Sequence, residues 1–222
     1  MAKPILYGSE MSPAVRAVFL TAAAIDLDYE FKEINVQTGE NKSEEFLKKN
    51  PQHTIPTLED NGKIIWDSHA IITFLVGKYA KDDSLYPKDL YTKAVVDQRL
   101  HFESSVLSIK IRAVTNALKQ DNPEATQQSK EALYEVYGFL EKFLANGPCM
   151  VGNSLTVADF SILSSLSSVN LIVPVDAAKF PKLAEWLGRM EKLPFYSKAN
   201  GIGLKKVAQF IEKLKAAIAD KK

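Results

Sequence analysis

The hydrophobic positions of this 222-residue chain change their period once. Over residues 4–80 short apolar runs alternate with helically spaced ones, and from residue 92 onward only the helical spacing recurs. Ile5-Leu6-Tyr7 reads as a short strand stopped by Gly8-Ser9. Ser12 is a good N-cap and Pro13 sits at the first helical position, where its missing N–H costs nothing. The helix they open runs through Val15, Val18, Phe19 and Ala22. Tyr29, Phe31 and Ile34 fit a second strand, and Ser43-Glu44-Glu45 opens a short helix with both acids near its positive end. Thr57-Leu58-Glu59 and Lys63-Ile64-Ile65-Trp66 flank Asp60-Asn61-Gly62, a tight hairpin turn because Asn-Gly tolerates positive φ. Ser68 is read as the cap of a third helix through Ile71, Ile72, Leu75 and Val76. The order strand, helix, strand, helix, strand, strand, helix predicts an α/β sandwich over residues 1–81. Its hairpin brings two polar clusters, Gln52-His53 and Asp67-Ser68, to one end of a small sheet, a cradle for a small zwitterionic peptide.

Residues 82–91 are polar with one proline and read as a linker. Residues 92–222 predict an all-α second domain. Val95, Val96, Arg99, Leu100, Val106, Leu107, Ile111, Val114 and Leu118 make one long helix or a kinked pair. Leu133, Val136, Tyr137, Leu140 and Phe143 make another, and Leu204, Val207, Phe210, Ile211, Leu214 and Ile218 form an amphipathic stripe. Between them, Leu155-Thr156-Val157-Ala158-Asp159-Phe160 has the form of a capping box: Thr156 caps, Asp159 reaches back to the cap's own N–H, and Leu155 with Phe160 closes a hydrophobic staple. Capping geometry explains Asp159 better than a catalytic carboxylate does.

Composition narrows the classes. Apolar residues make up 46% and charged residues 25%, with a net charge of +1, so no field favours nucleic acid or an anionic membrane. The single cysteine, Cys149, excludes an internal disulfide and a cysteine-rich metal site, and fits a reducing compartment. No run approaches the roughly 20 apolar residues of a membrane span, and Met1-Ala2-Lys3-Pro4 has no signal-peptide core. The expectation is a cytoplasmic protein with no metal, no nucleic-acid partner and no membrane partner.

Ser12 is the residue on which chemistry turns. A serine at a helix N-terminus is ordinarily only a cap. The same place suits a hydroxyl that donates to a thiolate, beside free backbone N–H groups at the positive helix end. A cysteinyl thiol has an unperturbed pKa of about 8.5, and lowering it by about two units takes close to 3 kcal/mol. One charge-assisted hydrogen bond and a helix terminus supply energy of that order. No acid–His–Ser arrangement follows from spacing, so a hydrolase triad is not supported. No Cys-x-x-Cys lies near the first helix, which argues against disulfide chemistry there. No glycine-rich loop supports nucleotide binding.

The blocks Asn50-Pro51-Gln52-His53-Thr54-Ile55-Pro56 and Asp67-Ser68-His69-Ala70-Ile71, with Leu6-Tyr7 and Ser12-Pro13 upstream, resemble insect cytosolic glutathione transferases of the delta/epsilon group, epsilon most closely. The resemblance covers essentially the whole chain, strongly in the first 80 residues and by pattern beyond. It implies a thioredoxin-like N-terminal domain before the all-α C-terminal domain, and glutathione as cosubstrate. Ser12 would hold the thiolate. His53 would bind the glycine end, Ile55 would pair its backbone with the cysteinyl portion, and Pro56 would be cis. Asp67 would meet the γ-glutamyl ammonium and Ser68 its carboxylate, with Thr54 and His69 also at the glutathione site. Asn41 departs from a histidine often found there in epsilon enzymes; it is expected to donate without carrying charge, unless Lys42 takes over. The electrophile site is expected between Ser9, Ser12 and Val36 and the helix face of Ser108, Ile111, Arg112 and Thr115, with the C-terminal stripe over it. His69 and His101 would meet near the interface of a homodimer. The implied function is conjugation of glutathione to hydrophobic electrophiles in detoxification, with dehydrochlorinase or peroxidase side activity. The alternatives are a non-catalytic carrier of hydrophobic ligands with the same fold and a structural module of a translation or synthetase complex.

Overall fold

The computed structural model describes residues 3–219. Met1 and Ala2, at the start of the segment read as lacking a signal-peptide core, and residues 220–222, at the end of the second expected domain, lie outside the described residues. Four strands, β1 (Ile5–Gly8), β2 (Glu30–Glu33), β3 (Thr57–Asp60) and β4 (Lys63–Trp66), form one sheet in the order β2-β1-β3-β4. β1 and β2 run parallel, joined through helix α1 (Pro13–Ala24), and the other pairings are antiparallel. Asn61 and Gly62 both take positive φ (50° and 76°), as the two-residue hairpin turn requires. Helix α2 (Glu44–Lys49) starts at Ser43, whose hydroxyl accepts from the Phe46 N–H.

Helix α3 (Ser68–Tyr79) corrects one expectation. Its cap is Asp67, not Ser68: the Asp67 carboxylate accepts from the His69 N–H at 2.8 Å and the Ala70 N–H at 3.3 Å. Both residue types cap well, and the choice falls to Asp67 because the chain leaves β4 with Asp67 at φ 74°, which sets its carboxylate across the first turn.

The second half is helical: α4 (Leu90–Phe102), α5 (Ser108–Lys119), α6 (Pro123–Phe143), α7 (Val157–Asn170), α8 (Pro181–Met190) and α9 (Ile202–Ala219). A π-helical turn, Glu103–Leu107, joins α4 to α5 and resolves the choice between one long helix and a kinked pair: the helix continues with a bulge. α7 is the central post. Every residue from Val157 to Val169 is buried, and α1, α3, α4, α5 and α8 pack around it. Leu6, Val18, Leu58 and Ile72 from the sheet layer therefore share one continuous core with Val96, Leu107, Phe160 and Trp186. The capping box at α7 is present. Asp159 accepts from the Thr156 N–H at 3.0 Å, the Thr156 hydroxyl at 3.1 Å, the Met150 N–H at 2.9 Å and the Trp186 indole N–H at 3.1 Å.

Candidate functional site

The register of the sheet decides which loops meet. Tyr7 on β1 pairs with Thr57 on β3, and Thr57 pairs with Trp66 on β4. The segment after β1 that leads to Ser12, the Ile55-Pro56 step before β3, and Asp67-Ser68 after β4 therefore all leave the same end of the sheet.

Ser12 is held in extended geometry at the head of α1. Its N–H donates to the Ser9 carbonyl at 2.9 Å, and its carbonyl accepts from the Arg16 N–H at 3.0 Å. Its half-buried hydroxyl makes no capping bond. With proline at the first helical position, the N–H groups of Ala14 and Val15 are the ones left without an intrahelical acceptor. Ser12 and the first helical residues Pro13 and Ala14 thus line a hollow of about 310 Å³ together with Asp67, Ser68 and His69.

The other peptide-facing positions sort into exposed and committed groups. Ile55 is half-buried, its peptide bond to Pro56 is cis, and its own N–H and C=O bond nothing among the described residues. That free pair suits an extended peptide added as a strand. His53 is exposed at φ 47°. Thr54 is exposed but bonded to its neighbours: its carbonyl accepts from Asn50 Nδ2 at 3.0 Å and from the Thr57 hydroxyl at 3.1 Å, and its own hydroxyl also accepts from Asn50. Asn41 is buried; its Nδ2 donates to the His53 carbonyl at 2.7 Å, so it braces the loop that presents His53.

A polar pad underlies the hollow. His69 Nε2 lies 2.8 Å from the Ser161 hydroxyl and 3.2 Å from Glu103 Oε2, while the hydroxyls of Ser108 and Ser165 each donate to Glu103 Oε1 at 2.6 Å. His69 is thus engaged inside the subunit, whereas His101 on α4 is exposed. The reading of the sequence missed Glu103 and the serines of α7. The available signal was Ser161, Ser164, Ser165, Ser167 and Ser168, five hydroxyls within one helix whose other residues between Phe160 and Val169 are apolar. Burial alone would raise the Glu103 carboxyl, but hydrogen bonds from His69, Ser108 and Ser165 outweigh it and hold the group below the ordinary carboxylate value. A carboxyl held low in the fold stabilises it while ionised, above an unfolded pKa of about 4.3, and that contribution is lost as pH falls through the lower folded value. Glu103→Gln is expected to lower the urea midpoint at about pH 6, with the gap to wild type closing toward about pH 3. A gap independent of pH would contradict this account.

The hollow runs into a second cleft of about 380 Å³, sharing Pro13, Ser108, Ile111 and Arg112 with it. Thr115 lies on the same wall, and Val207, Phe210, Ile211 and Leu214 of α9 cover the opposite side. Met11 and Ile172, not anticipated from sequence, complete the apolar lining, and Arg112 and Lys119 stand exposed at its rim. Ser9 and Val36 are not among the lining residues; Ser9 instead anchors the Ser12 N–H, and Val36 is exposed in the turn after β2. Among the described residues no group of three or more His, Cys, Asp or Glu side chains is placed to hold a metal, and no helix is long and apolar enough to cross a membrane.

Residues 6–83 match the family described as glutathione S-transferase, N-terminal domain, and residues 109–195 match the one described as glutathione S-transferase, C-terminal domain. The chain is 42% identical over 201 residues to a glutathione S-transferase 1 of Manduca sexta, covering 89% of this chain and 92% of that one. It is similar to the solved structure of an epsilon-class glutathione S-transferase from the housefly Musca domestica, with a TM-score of 0.90 and 49% identity over 96% of this chain and 98% of that one. A glutathione transferase homolog from Drosophila mojavensis, solved with bound glutathione, matches with a TM-score of 0.88 and 48% identity over 96% and 98% of the two chains.

Proposed function

The chain belongs to the glutathione S-transferase family, and from that premise we propose that it joins the thiol sulfur of glutathione to hydrophobic electrophiles, with Ser12 as the group that holds the thiolate. The observation that carries this reading is Ser12, which lines the hollow with a hydroxyl uncommitted to its own helix. Bound there, the thiol gives its proton to solvent. The remaining thiolate accepts a hydrogen bond from the hydroxyl and faces the positive end of α1.

The peptide pairs with the free backbone of Ile55. Its γ-glutamyl ammonium meets the Asp67 carboxylate oxygen that does not cap α3, its γ-glutamyl carboxylate meets Ser68 and the α3 terminus, and its glycine carboxylate meets His53. An apolar electrophile fills the cleft between α5 and α9, the sulfur–carbon bond forms, and the leaving group departs with its bonding pair. The same thiolate acting as a base, or attacking a peroxide oxygen, accounts for dehydrochlorinase and peroxidase side activities. We place the enzyme in the cytoplasm as a homodimer, with His69 and the exposed His101 of α4 near the subunit interface.

The test is the ultraviolet difference spectrum of bound glutathione against pH. Wild type is expected to show thiolate near neutral pH, and Ser12→Ala to show it only above about pH 8. The same thiol titration in both proteins would overturn the role of Ser12. Hydrophobic-ligand binding with no glutathione binding would leave a carrier.

A further inference from the structure

We propose that Arg16 is a positioning residue for the transfer reaction, its uncountered positive charge behind the wall of the hollow favouring the thiolate over the thiol at Ser12. The proposal rests on the reading of Ser12 given above.

Arg16 is the only charged residue of α1 and lies one turn after Ser12, about 6 Å along the helix axis. Its side chain is 0% exposed. Every acceptor it finds is neutral: Asn200 Oδ1 at 2.5 Å, the Ser164 carbonyl at 3.2 Å, the Ser168 hydroxyl, and the Ser167 hydroxyl at 3.5 Å. Its Nε bonds nothing among the described residues. A buried arginine is ordinarily paired with a carboxylate, and where only volume must be filled an apolar side chain is as stable or more so. A cation kept without a partner is therefore a feature to be explained. Its hydrogen-bond partners supply the direction: Ser164 lines the hollow that holds Ser12, and Ser168 lines the adjoining apolar cleft. The guanidinium is bonded to the backbone carbonyl of the one and the hydroxyl of the other.

The surroundings leave that charge unanswered. α7 faces it with serines, and Asp159 near the head of α7 is occupied by Met150, Thr156 and Trp186. On the π-helical turn, the Glu103 carboxylate is bonded to the hydroxyls of Ser108 and Ser165 and lies 3.2 Å from His69 Nε2, and it makes no bond to the guanidinium. In the turn before α9, Tyr196 carries a phenol that burial raises, so it is neutral at physiological pH, and Lys198 adds no negative charge. Glu10, in the loop before Ser12, is ion-paired to Lys206 of α9. Gly203 presses α9 so closely that an added Cβ would lie 2.7 Å from Arg16 Cδ and 2.0 Å from the Glu10 carbonyl, which seals the arginine stem from water. Burial lowers the Arg16 pKa to about 10, so it remains a cation at neutral pH. In such a low-dielectric setting a charge acts across several ångströms on whichever form of the thiol is more negative.

The experiment adds a counter-charge without removing the arginine. Asn200→Asp is isosteric and sets a carboxylate against the guanidinium in the full-length enzyme; Ser167→Asp brings the same charge from α7. In each, the thiol pKa of bound glutathione, read by ultraviolet difference titration, is expected to rise by about one unit, with kcat/KM at pH 7 falling up to tenfold and recovering at higher pH. The glutathione KM stays near its wild-type value. Asn200→Ala, which removes the hydrogen bond and adds no charge, leaves the titration in place. A lowered thiol pKa in wild type that does not move in either aspartate variant overturns the role of Arg16 and leaves that of Ser12 standing. A thiol that titrates in wild type as in free glutathione overturns both.

Discussion

Ser12→Ala is expected to lower kcat/KM at neutral pH by about 10- to 100-fold, the factor that corresponds to losing a charge-assisted hydrogen bond worth about 1.5–3 kcal/mol. The loss belongs in the chemical step. The peptide is gripped elsewhere, by Ile55, Asp67, Ser68 and His53, so the glutathione KM changes little. Stability also changes little, and this separates the functional role from the ordinary one. Removing a working N-cap costs about 1 kcal/mol, but the Ser12 hydroxyl makes no cap bond. The pH profile gives the sign. Rate follows the thiolate fraction, so it is lost as pH falls through the thiol pKa of the complex. In the variant that fall moves upward toward the free-thiol value of about 8.5. The residual rate is the share of the helix terminus. An unaltered kcat/KM at neutral pH, or a loss matched by a lower melting temperature, would refute the assignment.

Asp159→Ala is the largest expected effect on stability. The carboxylate is 0% exposed and receives the N–H groups of Met150 and Thr156, the Thr156 hydroxyl and the Trp186 indole. Burial raises its pKa, and those hydrogen bonds are what oppose the rise. Truncation strands several buried donors at once, at a cost of about 4 kcal/mol. For a chain of this size that corresponds to a fall in melting temperature of roughly 10 °C. Because Asp159 lines neither the hollow nor the adjoining cleft, activity should fall only with the folded fraction, and enzyme assayed well below the transition keeps its kcat. A shift of under about 3 °C in a thermal melt would show that the capping box is dispensable.

These two residues also mark what can be read without a structure. Both stand in local patterns. Ser12-Pro13 announces a helix start, Asn61-Gly62 a two-residue turn, and Thr156 with Asp159 a capping box, because each depends on groups within about four residues of one another. The α/β order of the first half and the helical spacing of the second follow from the same short-range rules, whereas the proposed thiolate-holding role of Ser12 rests on the family resemblance. The structure overrode a local rule at Asp67, where two good capping residues stood side by side and the turn out of β4 chose between them.

Elsewhere the deciding partners are far away in sequence. Asn41 turned inward because the His53 carbonyl needed a donor. His69 joined Glu103 and Ser161 because α3 and the π-helical turn are pressed against α7. Val36 fell outside the cleft that Met11 and Ile172 entered, since helix packing and not strand order shapes that wall. Arg16 is the extreme case. In sequence it is one cation on an otherwise apolar helix; its burial and its neutral partners Ser168 and Asn200 lie 152 and 184 residues away. Periodicity tells which face of a helix is apolar. Whether a charge on that helix meets water, a carboxylate or only hydroxyls is decided when the other helices close over it, because desolvation is a property of the packed assembly and not of any one segment.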